Sequence, residues 1–215
     1  SVDRYPVEHL LHGVFDEIYS FDQKDIKKYG FKETTNYNYI SPTPIHPTKK
    51  TKYDVLYIAS FDKRMETVLK LKEGFKKAKA TFRIIIVGKK TTLHKLKNKF
   101  SSAIADLELR RKRIGQEDLK TLYTETKIVL DIVRDHQVGL SFRVFEAMAF
   151  EKKLITNNKN IINYNFYNPN NILVLENDMY TFDPAFFATE YQSLPQEIYK
   201  QYTIEHWVTT IFNLT

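Results

Sequence analysis

Two spacings of apolar residues alternate along this chain. Short continuous apolar runs recur at 53–59 (YDVLYIA), 82–87 (FRIIIV), 127–132 (KIVLDI), 153–156 (KLIT) and 172–175 (ILVL). They are rich in β-branched and aromatic residues and read as strands buried on both faces. A weaker strand is expected over 103–109. Between the runs, apolar positions fall at helical spacing. Residues 64–79 carry Met65, Val68, Leu69, Leu71 and Phe75 on one face. Residues 91–100 predict a basic helix and 116–124 a short one, and another helix begins at Ser141. Residues 186–191, 196–202 and 204–212 predict terminal helices, the last amphipathic around Trp207. Strands alternating with helices predict an α/β domain with a doubly wound parallel sheet of five or six strands. Its crossovers are right-handed, and the terminal helices follow it.

The pattern before residue 53 is less regular. Residues 5–12 predict a short helix that Gly13 ends, and 14–21 a strand. Asp22 is a good N-cap for a two-turn helix that Gly30 stops. Residues 31–40, rich in Tyr, Asn and Thr, read as extended. The stretch 41–52 (SPTPIHPTKKTK) reads as a linker. The expected division is therefore an N-terminal appendage or tail of a preceding acceptor domain over 1–45, and the main domain over 46–215. A chain that opens on Ser1 reads as a piece of a longer protein. The Asn-rich stretch 157–171 reads as a loop with turns.

Composition narrows the classes. The chain has 215 residues, 42% of them hydrophobic, enough for a sizeable core. Its formal charge of +7 favours anionic partners, although scattered lysines also serve solubility. Cysteine is absent. That excludes a disulfide framework and a thiolate metal site, and it fits a reducing, cytoplasmic setting. No apolar run approaches a membrane span, and the start does not read as a secretory signal. His9 and His12 share a helix face without a third ligand, so no metal is expected.

In a doubly wound sheet, ligands sit beyond the carboxyl ends of the strands. Two stretches there carry chemistry. The loop 60–64 offers the Ser60 hydroxyl, a helix start, Lys63 and Arg64, which serve either to cap the helix or to hold a phosphate. The stretch 127–158 is strand, polar loop, helix, strand. Gly139 permits close backbone approach, and the helix from Ser141 begins with amides that favour an anion. Arg143 and Glu146 share one helix face. They are either a surface pair or a phosphate and sugar-hydroxyl site. His136 is either a ligand contact or a solvated loop histidine.

The stretch HQVGLSFRVFEAMAFEKKLITNN, with Gln137, Gly139, Ser141, Arg143, Glu146-Ala147-Met148-Ala149 and Leu154-Ile155-Thr156, resembles one known family. It is similar to the C-terminal, donor-binding domain of bacterial GT-B glycosyltransferases of surface-polysaccharide and lipopolysaccharide biosynthesis. DVLYIASFDKR, FRIIIVG and EDLKTLYTETKIVLDI extend the likeness, and FDEIYSFDQKDIKKYGF resembles the crossover segment that enters that domain.

The resemblance implies a Rossmann-like, nucleotide-sugar-binding domain. Glu146 would hold the ribose, Ser141 and Arg143 the diphosphate, and Arg64 a second phosphate clamp, with Ile114 near the base. It implies a nucleotide-sugar donor, UDP being the first nucleotide to try, and a glycan or lipid-linked acceptor. It also implies peripheral association with the inner face of the plasma membrane. Neither a cofactor, a metal nor nucleic acid is expected. Val138 stands where many retaining members carry a second acidic residue, so neither retention nor inversion follows. The general base is expected from the acceptor domain, leaving this piece to bind donor without completing transfer. The alternative is a non-enzymatic module that binds an acidic partner through the basic residues 89–99 and 110–113.

Overall fold

A computed structural model describes residues 13–40, 51–135, 137–176 and 180–214. The helix expected at 5–12, His9, His12, His136 and most of the expected linker lie outside the described residues. The first described segment forms a small unit. Strand β1 (Tyr19–Ser20) pairs in parallel with β2 (Lys32–Glu33), and helix α1 (Gln23–Tyr29) connects them. The Asp22 carboxylate caps α1 by accepting from the Lys24 amide. Gly30 ends the helix with a left-handed φ of 69°, a conformation that favours glycine. The expected strand over 14–21 shrinks to two residues. Val14 and Phe15 are exposed, and the ladder with β2 covers only Tyr19 and Ser20.

The main sheet has six strands, all parallel: β3 (Tyr53–Ser60), β4 (Phe82–Val87), β5 (Glu108–Arg110), β6 (Thr126–Asp131), β7 (Lys153–Thr156) and β8 (Ile172–Val174). Their spatial order is β5-β4-β3-β6-β7-β8. Helices α2 (Met65–Lys77), α3 (Lys90–Phe100), α4 (Gln116–Thr124) and α5 (Phe142–Ala149) connect them. The short α6 (Pro184–Ala188), α7 (Gln196–Lys200) and α8 (Ile204–Ile211) follow. The doubly wound parallel sheet expected from the apolar runs is the architecture found.

Alternation along β3 shows why these runs are apolar throughout. Val55 and Tyr57 pack with Val68, Leu71 and Phe75 of α2 on one face. Leu56 and Ile58 pack with Leu122 of α4 on the other. Both faces are dry, so neither can carry the polar half of an amphipathic strand. On the second face, Phe145 and Met148 of α5 join Val129, Leu154 and Ile172.

The third strand departs from expectation. Residues 101–104 form a 3-10 turn, and β5 begins only at Glu108. The cause is a buried lysine. Lys72 Nζ donates to the Ala103 carbonyl (2.5 Å) and to Asp106 Oδ1 (2.7 Å). The Ala103 carbonyl thus pairs with a side chain rather than with a neighbouring strand. The Asn-rich stretch is a loop as expected, and it also contains a 3-10 turn at Lys159–Asn163.

Gly74 lies on the face of α2 where the chain returns near residue 180. A Cβ there would overlap the Tyr180 carbonyl oxygen and crowd the Phe182 ring. In an open helix, Gly→Ala gains about 1 kcal/mol. Here a backbone atom blocks the methyl, and overpacking costs about 1–3 kcal/mol. Gly74→Ala should therefore destabilise the fold in urea denaturation. A gain in stability would show that this contact does not form.

Candidate functional site

The strand order reverses between β3 and β6, so their C-terminal ends flank a crevice, the usual ligand position in such sheets. A cavity of about 490 Å³ lies there, lined by Asp62, Arg64, Ile132, Arg134 and Asn157 among others. Arg64 grips Asp62 with two nitrogens, Nε to Oδ1 at 2.8 Å and Nη2 to Oδ2 at 2.7 Å. Its Nη1 donates to the Ile132 carbonyl at 2.8 Å, tying β3 to β6. Arg134 Nε reaches the same Asp62 carboxylate at 3.2 Å. Burial pushes the Asp62 carboxyl up, but the bonds from Arg64 outweigh it and hold the group below the usual carboxylate range. Two guanidiniums thus share one carboxylate, which leaves the crevice a surplus positive charge. Ser60 ends β3 exposed and is not part of that lining.

The loop before α5 is held from behind. The Val138 carbonyl accepts from Asn160 Nδ2 (3.0 Å), and the Gly139 carbonyl accepts from Asn158 Nδ2 (3.2 Å) and Gln137 Nε2 (3.3 Å). The Leu140 carbonyl accepts from Asn36 Nδ2 (2.7 Å). Each of these carbonyls shares a peptide unit with the amide of the next residue, and the two dipole ends point in opposite directions. Among the described residues the amides of Gly139, Leu140 and Ser141 donate no hydrogen bond. Successive free amides at a helix start form an anion-binding concavity. The space over Gly139 Cα is taken by the Phe21 ring, which a Cβ would overlap.

Ser141 caps α5. Its Oγ accepts from the Arg143 amide (3.2 Å) and donates to Asp131 Oδ1 (2.8 Å) at the end of β6. Glu146, one turn on, is buried. Both carboxylate oxygens accept tyrosine hydroxyls: Tyr39 to Oε1 at 2.6 Å and Tyr123 to Oε2 at 2.5 Å. Arg143 Nη1 lies 3.8 Å from Oε2, with its side chain 26% exposed. Burial in this setting pushes the Tyr123 phenol well up, and the Glu146 carboxylate adds to the shift. Tyr57 links the two regions. Burial, helped by the nearby Asp62 and Asp131 carboxylates and opposed by the Arg64 and Arg143 guanidiniums, pushes its phenol up to about 12. Gln137, Gly139, Ser141, Arg143 and Glu146 therefore sit on one loop and helix, with Arg64 in the adjoining crevice. Ile114 is partly buried against Leu56, Ile58, Ile85 and Leu122.

A sequence profile of the family described as glycosyl transferase-like matches residues 67–213. The chain belongs to this family. No curated protein matches it significantly. Solved structures agree on the fold of this glycosyltransferase-like chain. It is similar to the apo form of the lipopolysaccharide outer core galactosyltransferase WaaB (TM-score 0.56, 11% identity), over 93% of this chain and 62% of that one. It is also similar to AviGT4, a glycosyltransferase involved in avilamycin A biosynthesis (TM-score 0.59, 11% identity), over 91% and 63%. A glycosyltransferase from Rickettsia africae gives 0.53 at 11% identity, over 97% and 62%. At such identities the likeness shows the Rossmann-like GT-B fold. The chain spans less than two thirds of the length of each. Among the described residues no helix is long and apolar enough to cross a membrane.

Several residues that hold this site were not among the candidates. Asp131 carried a sequence signal, a lone acid at the end of an apolar strand. Tyr39, Tyr123 and Asn36 carried none, because their partners are more than twenty residues away in sequence.

Burial pushes the Asp131 carboxyl up, against the bond from Ser141 and the charges of Arg143 and Arg64. A raised folded-state pKa means that the native protein holds this proton more tightly than the unfolded chain. Ionised Asp131 therefore subtracts stability as pH rises through the carboxylate range. Asp131→Asn keeps an acceptor for Ser141 and removes that loss. The stability of the variant relative to the parent, by urea denaturation, should be greater at pH 7 than at pH 4. An unchanged difference between the two pH values would refute the buried-charge account.

Proposed function

We propose that this chain is the donor-binding half of a glycosyltransferase, moving a sugar from a nucleotide-sugar to a glycan or lipid-linked acceptor. The observation that carries the reading is the row of free amides at Gly139, Leu140 and Ser141, on the loop that leads into α5, whose first turn carries Arg143. Transfer from a nucleotide-sugar releases a diphosphate, and stabilising the charge that grows on it lowers the barrier. Fixed amides and a guanidinium do this without reorganising. Arg64 and Arg134, sharing only one carboxylate, offer a second anionic subsite.

Glu146 is the proposed ribose acceptor. The Tyr39 and Tyr123 hydroxyls stand where two ribose hydroxyls would donate. Tyr123 is buried, whereas Tyr39 is exposed on the segment before the linker. Replacing the Tyr39 hydroxyl by a ribose hydroxyl keeps the carboxylate satisfied. The apolar patch around Ile114 is the proposed wall for the base. Residues 1–45 would be the end of an acceptor domain and 46–215 the donor domain, with the general base supplied by the former. The setting that fits is the bacterial cytoplasm, at the inner face of the plasma membrane, where lipid-linked acceptors of polysaccharide synthesis lie. A second reading, binding of an acidic partner, draws on the exposed Lys90, Lys95, Lys97 and Arg111. It requires salt-sensitive binding that ignores Glu146.

Nucleotide binding should appear as thermal stabilisation. With free ligand about 100-fold above Kd, binding adds about 2.7 kcal/mol, a rise of several degrees. UDP and UDP-sugars come first in the screen. Arg143→Ala and Glu146→Ala should abolish the rise, and no shift with any nucleotide or nucleotide-sugar would overturn the donor reading. Tyr39→Phe removes the hydroxyl that ribose must displace, so nucleotide affinity by calorimetry should increase. A large fall in affinity would mean that the Tyr39 hydroxyl itself contacts the ligand.

A further inference from the structure

A second cavity, of about 930 Å³, lies apart from the crevice at the strand ends. It lies between α1, residues 34–37 of a strap that runs over 34–40, the turn 160–165 and α8. We infer that it binds a neutral oligosaccharide. Its size is at the upper end for a small-ligand pocket.

Charge is the first argument. The chain carries a formal +7. Yet among the described residues the cavity wall sets only Lys24 and His206 against Asp22 and Glu33. A phosphate or nucleotide would be drawn to the guanidiniums and free amides elsewhere, not to this near-neutral wall.

The second argument is the kind of groups exposed. A sugar ring presents apolar C–H faces and an edge of hydroxyls that both donate and accept. The first needs flat aromatic surface and the second needs amides and carboxylates. Trp207 and Tyr37 pack together here, with centroids 4.8 Å apart and planes at 45°, and Tyr37 meets Phe142 edge-on. Behind them, Tyr202 Oη donates to Asn165 Oδ1 (2.6 Å) and Asn165 Nδ2 to Gln201 Oε1 (2.9 Å), so this part of the wall is already rigid. The Asn163 amide, the His206 ring and the Trp207 indole N–H have no hydrogen-bond partner among the described residues. They supply donors and an acceptor without breaking a bond within the protein.

Place is the third argument. Val138 and Asn160 belong to this wall, and the Asn160 amide holds the Val138 carbonyl. A glycan here ends against the back of the loop whose free amides form the proposed diphosphate site. Its assignment as the sugar acceptor rests on the transferase reading; the binding itself does not.

Trp207 is the only tryptophan of the chain, so its emission reports on this cavity directly. Neutral di- and trisaccharides of hexoses and N-acetylhexosamines, titrated into the 215-residue chain, should produce a saturable change in emission for at least one of them. Saturation-transfer NMR provides a second reading where emission is silent. The double variant Asn163→Ala with His206→Ala alters two exposed side chains, and circular dichroism checks its fold. It should weaken binding about tenfold or more, and Arg143→Ala should leave the affinity as it is. Absence of binding in both measurements, full affinity in the double variant, or loss in Arg143→Ala would each overturn the inference. If nucleotides fail to stabilise the chain while saccharide binding persists, only the donor reading falls.

Discussion

A carboxylate buried within an apolar helix sets the terms for much of this structure. Glu146 lies among Val144, Phe145, Ala147 and Met148, side chains that offer it nothing polar. An unpaired charge there would cost several kcal/mol. Its donors come from elsewhere, Tyr123 from α4 and Tyr39 from the strap, with Arg143 close by. Two separate pieces of chain are thus drawn to one face of α5 by a single acid. Removing a donor leaves a desolvated charge, so the arrangement tolerates exchange of one hydroxyl for another far better than loss.

The second organising feature is the reversal of strand order between β3 and β6. It opens a crevice at the strand ends, and chain chemistry fills it in two parts. Arg64, Asp62 and Arg134 occupy the crevice itself, while the loop 137–141 and α5 stand beside it. Asp131 joins the parts. It ends β6 at the crevice and fixes Ser141, which in turn sets the first turn of α5. Sheet and helix start therefore share one hydrogen-bonded link, and the orientation of the free amides follows from it.

The sheet was legible because burial on both faces leaves its mark locally: 53–59 and 82–87 are apolar at nearly every position. The α5 start was legible for the same reason, since Ser141, Arg143 and Glu146 are local to one helix. Non-local pairing was not legible. Lys72 captures Ala103 and Asp106 and turns an expected strand into a 3-10 turn, and nothing within 103–109 announces that. The strand expected at 14–21 shrank to Tyr19–Ser20 for the opposite reason, because its partner β2 is only two residues long. In the site, the residues on α5 could be named from sequence, whereas the tyrosines that satisfy Glu146 and the asparagines that hold the loop carbonyls could not. Their contacts are set by how distant segments cross.

One such crossing concerns the two ends of the described chain. Asn38 and Thr203 form a parallel bridge: the Asn38 amide donates to the Tyr202 carbonyl (2.6 Å) and the Ile204 amide to the Asn38 carbonyl (3.0 Å). The Asn38 side chain adds a bond to Tyr199 (2.8 Å), and Tyr37 leans on Trp207. The strap and the helices α7 and α8 are consequently one cooperative unit for local opening. A fluctuation that frees the strap from the terminal helices breaks a clasp between residues more than 160 positions apart, not a loop hinge. Protection of the Asn38 and Ile204 amides would rise and fall together in hydrogen exchange, because neither bond can open while the other keeps the segments in register.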